Sequence, residues 1–242
     1  MQAIIMAAGL GSRFGIYTED RPKGFIEVGG MSMIERSINT LISCGVRHIV
    51  IGTGYMKEAF EQLALITMVQ NKDVEITTCF SPRYAETNSM YTLYNMRHLI
   101  KDDYLLLESD LVFESKALEL LINDPHPDVM LTTPVNKFQD QYYVEYDNDG
   151  WLTNCSVNKA DVNTNSELVG IHKLSKIFSD ILIEEYGQIV KDKLKLGYEF
   201  ALLDIAKRLR KMYVLDIPGL LWYEIDDPSD KTYAESHIVP KL

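Results

Sequence analysis

Apolar and polar positions follow two alternating periods through the first half of the chain. Ala3–Met6 is apolar at every position, which is typical of a strand buried on both faces. Between Ser32 and Gly45 the apolar residues lie on one face of a helix, and Ser32 with Glu35 forms a capping-box pair at its start. The alternation continues with strand-like VRHIVIGTG, DVEITTCF and DDYLLLESD and with helix-like MKEAFEQLALI, SMYTLYNMRHLI and ESKALELLIN. This pattern predicts a Rossmann-like α/β fold, with a mostly parallel sheet flanked by helices.

The pattern changes near residue 128, where strand-like segments become more frequent. Asp147–Gly150 reads DNDG, which is typical of a hairpin turn. Helices are predicted roughly over Ser175–Tyr186 and Tyr198–Lys211, and a terminal helix over PSDKTYAESHI. No repeat or flexible linker divides the chain. We therefore expect a single domain over residues 1–242, with an inserted β-hairpin lid over roughly 136–170.

A glycine-rich segment, AAGLGSRFG, follows the first predicted strand. Gly9 and Gly11 match a dinucleotide fingerprint, but its third glycine falls on Phe14, and the Gly-Lys-Ser/Thr ending of a Walker loop is absent. Alone, the segment is compatible with a simple turn. Glycines also let main-chain amides approach a triphosphate closely. Arg13 then offers a planar fork of donors, and Lys23 in the following RPKG offers a movable point charge.

Composition narrows the choice of partners and compartment. The chain carries 24 Lys and Arg against 35 Asp and Glu, a net charge of −11, which argues against nucleic acid or an anionic membrane as the main partner. Cys44, Cys79 and Cys155 lie far apart, which argues against a zinc site or a disulfide framework and favours a reducing compartment. The start MQAIIMAAGL is too short and too glycine-broken for a signal peptide or membrane span. We expect a cytoplasmic protein without membrane insertion; a homodimer is compatible with the sequence.

AAGLGSR followed by RPK resembles the nucleotidyltransferase family that includes sugar-1-phosphate nucleotidylyltransferases and small-alcohol-phosphate cytidylyltransferases. The segments YAETNSMYTLYNM and YEIDD are most similar to those of phosphocholine and 2-aminoethylphosphonate cytidylyltransferases. The resemblance implies a fold of the nucleotide-diphospho-sugar transferase type and a Mg²⁺ cofactor held by Asp110 and Asp226. It also implies that Lys159, in SVNKAD, meets the acceptor's phosphate. The simpler explanation of Asp110 and Asp226 is that each caps a helix.

The implied reaction transfers CMP from CTP to a small phosphate or phosphonate and releases pyrophosphate. Both reactants are anions, so cations and preorganised donors must offset their repulsion. We expect Arg13 to hold the leaving phosphates and Lys23 to neutralise charge on the α-phosphate. The preference for CTP follows from the resemblance. Asn88, or Ser89 beside it, is the candidate side-chain contact to the base, although Asn88 also reads as a helix cap. The predicted nucleotide-binding residues are Ala8, Gly9, Gly11, Ser12, Asn88 and Ser89.

The ammonium group of the acceptor distinguishes the two activities, since phosphocholine carries a quaternary ammonium and 2-aminoethylphosphonate a primary one. A quaternary ammonium is normally held by an aromatic cage, yet the chain has only Trp151 and Trp222, and Trp151 follows a hairpin turn. A primary ammonium needs carboxylate or carbonyl acceptors instead. The predicted acceptor-binding residues are Lys159, Glu199, Asp140 and Tyr142, with Glu145 as a further carboxylate. The three carboxylates among them favour 2-aminoethylphosphonate over phosphocholine. A tyrosine cage for a quaternary ammonium could still be formed by Tyr142, Tyr143, Tyr146 and Tyr198.

Two further functions stay open from the sequence. A sugar phosphate or sugar-alcohol phosphate would use the same chemistry, but it needs many hydroxyl partners, whereas the predicted lid is rather apolar and rich in tyrosine. A catalytically silent nucleotide sensor would not need the complete set of Arg13, Lys23, Asp110 and Asp226. The histidines are scattered without a triad setting, and His172 is the one near the expected pocket.

Overall fold

The structure is a computed structural model that describes residues 1–135, 141–163 and 166–242. Its strands are β1 Gln2–Ala7, β2 Glu27–Val28, β3 Met31–Ser32, β4 His48–Thr53, β5 Glu75–Phe80, β6 Tyr104–Glu108, β7 Leu111–Phe113, β8 Val129–Pro134, β9 Tyr143–Tyr146, β10 Leu152–Ser156, β11 Ser166–Leu174, β12 Tyr213–Asp216 and β13 Trp222–Glu224. Its α-helices are α1 Met33–Ser43, α2 Lys57–Gln70, α3 Ser89–Asn95, α4 Lys116–Asn123, α5 Lys176–Ile189, α6 Tyr198–Arg208 and α7 Pro228–His237. Short 3-10 helices cover Ser12–Thr18, Lys23–Phe25, Met96–Leu99, Lys159–Asp161 and Val239–Lys241. None of the helices in these ranges has the length and apolar character needed to cross a membrane.

Four parallel strands form the centre of the main sheet. β1 lies between β4 and β6, and β5 extends the sheet beyond β4. β11 runs antiparallel to β6 and links it to β8 and β9, while β12 pairs with β8 in parallel. The predicted fold class, a mostly parallel central sheet flanked by helices, is confirmed. The sequence pattern did not reveal that β11 runs against its neighbour β6.

The period of two along β1 explains why helices cover both faces of the sheet. Ala3 and Ile5 are buried in one core, together with side chains of α1, α2 and α4. Ile4 and Met6 are buried in a second core, together with side chains of α3, α5 and α6. Because both faces are covered, every position of the strand from Ala3 to Ala7 is apolar, and a slip of one residue would exchange the two sets.

Several helices begin at the residues that the sequence predicts. The Ser32 side chain accepts a hydrogen bond from the Glu35 main-chain amide at 3.3 Å, and the Ser32 hydroxyl itself donates to the Glu35 carboxylate. Asp227 accepts from the amides of Ser229 and Asp230 at 2.7 and 3.0 Å, which fixes the start of α7. Asn88 caps α3 by accepting from the next amide at 2.8 Å. Side-chain caps therefore fix where α1, α3 and α7 begin.

The predicted hairpin around residues 147–150 is present in the structure. β9 and β10 pair antiparallel, and Gly150 has a positive φ of 85° at the turn between them. The hairpin extends the main sheet, since β9 also pairs with β11. Residues 136–140, at the start of the predicted lid, lie outside the described part of the chain. The role of residues 136–170 in covering an acceptor, and the single-domain assignment, stay predictions.

Candidate active site

A cavity opens at the carboxyl ends of β1 and β6, which is where open α/β sheets place their ligands. The loop after β1, the end of β6, the start of α3, the start of α6 and the middle of β11 supply its walls. Of the predicted site residues, those that line it are Ala8, Gly9, Arg13, Lys23, Asn88, Ser89, Asp110, Tyr142 and Glu199. Residues from opposite ends of the chain therefore meet in one place.

The glycine loop is shaped around the stem of Lys23. Gly11 has a positive φ of 64°, and a Cβ atom added there would lie 2.8 Å from the Cβ of Lys23. Ordinary residues rarely adopt that backbone conformation, and no side chain would fit in that space. Gly11 and Ser12 do not themselves line the cavity, but they connect Gly9 to Arg13, which both do. One function of this glycine is therefore to let the loop pack against the lysine.

Replacing Gly11 by alanine should displace Lys23 as well as strain the loop. We expect Gly11→Ala to lower the free energy of unfolding by about 1–2 kcal/mol through its left-handed backbone, and also to lower the maximal transfer rate. Gly45→Ala is the matched control, because Gly45 also has a positive φ, 87°, but faces open space. Thermal unfolding and steady-state kinetics separate the two effects. Equal rates in the two variants would show that Gly11 does not position the lysine.

Lys23 joins the two predicted metal aspartates. Its Nζ atom lies 2.6 Å from Oδ2 of Asp110 and 2.8 Å from Oδ1 of Asp226. The guanidinium of Arg13 contacts that same Oδ1 of Asp226 at 2.6 Å. Burial alone would lower the pKa of Lys23, but the two carboxylates outweigh it and raise the pKa above its ordinary value. Lys23 is therefore a permanent cation at the centre of the site.

The two aspartates meet because the last segment of the chain is tied to the end of β6. The amide of Ile225 donates to the main-chain oxygen of Asp110 at 3.0 Å, and β13 pairs with β7 directly after that aspartate. Asp226 is in turn fixed through its own amide, which donates to Asp230 at 2.9 Å. Oδ1 of Asp110 is buried and has no hydrogen-bond partner among the described residues. That oxygen is available to a ligand.

Two carboxylates that the sequence analysis did not select complete this region. Glu108, Asp110 and Glu224 each place one oxygen within 4.8 Å of the others. Oxygen ligands in such a group suit a hard divalent cation. Burial, together with Asp110 and Glu224, raises the pKa of Glu108 well above its ordinary value. Their spacing is a signal that could have found them, since Glu108 and Glu224 each precede a predicted aspartate by two residues, the period of a strand.

Glu199 provides a separate acidic wall near the start of α6. Its side chain is buried, and its Oε2 atom has no hydrogen-bond partner in the described part of the chain. Burial raises the pKa of Glu199 to about 7. Tyr142 lies beside it, and burial and the Glu199 charge raise the pKa of the phenol above its ordinary value. An unpaired buried carboxylate facing a cavity is suited to binding a cation with N–H donors.

Asn88 and Ser89 connect the nucleotide side of the cavity to α6. The Ser89 hydroxyl oxygen accepts from the Tyr198 amide at 2.9 Å, and the Asn88 side-chain amide donates to the Lys195 carbonyl at 3.4 Å. Both predicted nucleotide residues therefore have structural roles. Their exposure at the cavity leaves a contact with a base compatible with those roles.

Two other predicted acceptor residues, Lys159 and Glu145, do not line the cavity. Lys159 does not line it, and its ammonium lies 5.6 Å from the centre of the Tyr143 ring. Glu145 accepts from the Asn163 amide at 2.8 Å instead of facing the cavity. Asp140 lies outside the described residues. Contact of any of them with an acceptor stays a prediction.

The tryptophans lie elsewhere, as the sequence analysis suggested for Trp151. Trp151 packs against His126 and Tyr213, with ring centres 5.4 and 5.7 Å away. Trp222 is buried and donates to the Thr133 hydroxyl at 3.1 Å. Among the described residues, the aromatic side chains that line the cavity are tyrosines, at positions 84 and 142.

Proteins of similar sequence include three cytidylyl-transfer enzymes by name. The chain is 28% identical over 249 residues to a CMP-5'-(3-aminopropyl)phosphonate synthase of Streptomyces rubellomurinus, covering 99% of this chain but only 39% of that protein. It is 26% identical over 237 residues to a choline-phosphate cytidylyltransferase of Streptococcus pneumoniae, with 95% of each covered. A 2-aminoethylphosphonate cytidylyltransferase of Lancefieldella rimae is 34% identical over 121 residues, which cover 48% of this chain and 45% of that protein.

The fold is shared with the solved structure of a cytidylyltransferase. A CTP:phosphocholine cytidylyltransferase from Streptococcus pneumoniae superposes with a TM-score of 0.80 at 23% identity, covering 97% of both chains. Residues 3–156 match the family model of the MobA-like NTP transferase domain. That range spans more than half of the chain and includes the glycine loop, Lys23 and Asp110. The chain therefore belongs to the family of MobA-like NTP transferase domains, a nucleotidyltransferase family.

Proposed function

We propose that this protein is a Mg²⁺-dependent cytidylyltransferase that transfers CMP from CTP to 2-aminoethylphosphonate and releases pyrophosphate. The observation that carries the proposal is the meeting of Lys23, Arg13, Asp110 and Asp226 beside the glycine loop. A nucleotide sensor needs no such combination of buried cation and paired carboxylates.

In the proposed reaction a phosphonate oxygen attacks the α-phosphorus of CTP. One P–O bond forms, the bond to the β-phosphate bridging oxygen breaks, and that oxygen leaves with pyrophosphate. Negative charge gathers on the α-phosphate oxygens as the two anions approach, so the step depends on preorganised positive charge. Lys23 supplies a fixed ammonium for those oxygens, and Arg13 supplies forked donors for the leaving phosphates.

The carboxylates present at the site fit a divalent cation. The supporting observations are the unpartnered Oδ1 atom of Asp110 and the closeness of Glu108 and Glu224 to that residue. We propose that Asp110 and Glu224 hold Mg²⁺, and that Asp226 contributes from its place beside Lys23. When bound, the ion offsets phosphate charge and orients the triphosphate. In its absence Lys23 neutralises part of the same acidic cluster.

CTP is the proposed nucleotide because the three similar proteins named above are enzymes that use or produce cytidine nucleotides, by their names. Asn88 and Ser89 lie at the cavity wall, where an amide and a hydroxyl can each donate and accept. Main-chain groups at Ala8 and Gly9 are the proposed partners on the other side of the base.

Glu199 supports an acceptor with a primary ammonium. Its buried, unpartnered Oε2 atom can accept an N–H bond, which a trimethylammonium group cannot donate. Tyr84 and Tyr142 are the features that favour phosphocholine as the second candidate, because tyrosine faces attract quaternary cations. The amino-terminated phosphonates named for two relatives agree with the first choice.

An acceptor panel tests this function. Purified protein is incubated with CTP, Mg²⁺ and 2-aminoethylphosphonate, phosphocholine or a sugar 1-phosphate, and pyrophosphate release is followed. We expect the highest kcat/KM with 2-aminoethylphosphonate and a requirement for Mg²⁺. Equal or better turnover of phosphocholine would overturn the choice of acceptor. No turnover with any acceptor would favour a nucleotide sensor.

A further inference from the structure

A chain of hydrogen bonds extends from Glu108 into the core of the protein, and the proposed reaction gives it no role. The Tyr198 hydroxyl lies 2.7 Å from Oε1 of Glu108. On its other side, the same hydroxyl lies 3.1 Å from Nε2 of His172. Tyr198 and His172 are both fully buried, whereas Glu108 faces the cavity. The chain therefore runs from the core of the protein to the acidic cluster.

The hydrogen bonds of this chain all donate in one direction. Burial lowers the pKa of His172 to about 3, so the imidazole is neutral and carries a single N–H. The Tyr198 hydroxyl donates to Oε1 of Glu108, so its oxygen accepts from Nε2 of His172. Nδ1 of His172 has no hydrogen-bond partner among the described residues. Each hydrogen in the chain thus points towards the carboxylate.

The backbone of β11 leaves room for that carboxylate. The pairing of β11 with β8 shifts register between Leu168 and His172, and Gly170 lies inside this irregularity with a positive φ of 78°. A Cβ atom on Gly170 would lie 2.9 Å from Oε2 of Glu108. Gly170 and Tyr198 therefore confine the Glu108 carboxylate from two sides.

From this arrangement we infer that Glu108 is a further ligand of the divalent cation and that Tyr198, supported by His172, is the residue that positions it. The oxygens of Glu108, Asp110 and Glu224 lie within 4.8 Å of one another, close enough to share one ion. Three carboxylates this close repel each other, and a divalent cation would offset that repulsion. The inference rests on the Mg²⁺ site of the proposed function and extends it to residues that the sequence analysis did not assign to a metal.

Partners that orient a metal ligand typically change metal affinity by about 10–100-fold when they are lost. We therefore expect Tyr198→Phe, which removes only the hydroxyl, to weaken cation binding about tenfold or more. Glu108→Gln should weaken it at least as much. In the double variant the tyrosine change should add little, because its effect acts through a carboxylate that is already gone.

The experiment measures Mn²⁺ affinity by electron paramagnetic resonance, with and without CTP, in the full chain. Tyr104→Phe is the matched control, since Tyr104 is also fully buried and donates to Ser179, at 3.2 Å, away from the cavity. Thermal unfolding checks that each variant folds. Weaker Mn²⁺ binding in Glu108→Gln and Tyr198→Phe, with unchanged binding in Tyr104→Phe, supports the inference.

The other outcomes separate this inference from the proposed function. Wild-type Mn²⁺ affinity in Glu108→Gln and Tyr198→Phe overturns the inference, even if the protein transfers CMP efficiently. Equal losses in Tyr198→Phe and Tyr104→Phe also overturn it, because they indicate a general loss of packing. A Mn²⁺ site that depends on Glu108 and Tyr198, in a protein that transfers no CMP, supports the inference and rejects the transfer reaction.

Discussion

Replacing Lys23 by methionine should lower kcat by about 10²-fold or more, because it removes a preorganised cation from the transferring phosphate. Methionine keeps the length and much of the packing of the lysine stem, so the loop around Gly11 should remain folded. The measurement is steady-state pyrophosphate release at saturating CTP and acceptor. Lys231→Met is the control, since Lys231 pairs with Glu235 at 2.6 Å in α7, outside the cavity.

A metal-binding measurement distinguishes loss of this charge from damage to the site. Lys23 occupies Oδ2 of Asp110 and Oδ1 of Asp226 in the structure, so it competes with a divalent cation for these oxygens. Lys23→Met should therefore bind Mn²⁺ at least as tightly as the wild type when nucleotide is absent. A kcat equal to that of Lys231→Met would reject the catalytic role of Lys23.

Replacing Glu199 by glutamine should lower kcat/KM for 2-aminoethylphosphonate about tenfold, because the amide oxygen still accepts an N–H bond but no longer carries the charge that strengthens its bond to the ammonium. Propylphosphonate is the control acceptor, because it has the same phosphonate but a methyl group in place of the ammonium. Its kcat/KM should be similar in the wild type and in Glu199→Gln. An equal loss with both acceptors would mean that Glu199 shapes the pocket without binding the amine.

The same substitution should stabilise the protein at alkaline pH. Burial raises the pKa of Glu199 from 4.5 to about 7. A carboxyl group with a raised pKa contributes most stability below its unfolded pKa, and that contribution is lost as pH rises through its folded pKa. At pH 8 the ionised Glu199 costs roughly 3 kcal/mol, which glutamine removes. Urea unfolding of both proteins should diverge between pH 5 and pH 8; parallel curves would contradict an ionised, unpaired Glu199.

Much of the fold could be predicted because local sequence and tertiary structure agree. The apolar run of β1 is buried on both faces, and Ser32 and Asn88 cap the helices where their spacing indicated. The meeting of Asp110 and Asp226 was also predicted, but it arises because β13 pairs with β7 in a separate two-stranded sheet, which the sequence pattern did not reveal.

The two-residue spacing before Asp110 could have suggested Glu108, but the way in which the remaining site residues are held depends on long-range packing. The Glu108 carboxylate has room beside β11 because Gly170, within an irregularity of the β11–β8 pairing, has no side chain, and such an irregularity depends on long-range packing. The sequence analysis considered Tyr198 only as a possible member of a tyrosine cage, whereas its hydroxyl donates to the carboxylate of Glu108. Lys159 does not line the cavity and its ammonium lies 5.6 Å from the centre of the Tyr143 ring, so its contact with an acceptor's phosphate stays a prediction.

The most direct test of the central claim is a crystal structure with a non-hydrolysable CTP analogue, Mg²⁺ and 2-aminoethylphosphonate. The account predicts the triphosphate against the loop from Gly9 to Arg13, Lys23 on the α-phosphate, the metal on Asp110 and the amine on Glu199. A nucleotide bound away from this cavity, or bound in it without contact to Lys23 and Asp110, would contradict the account.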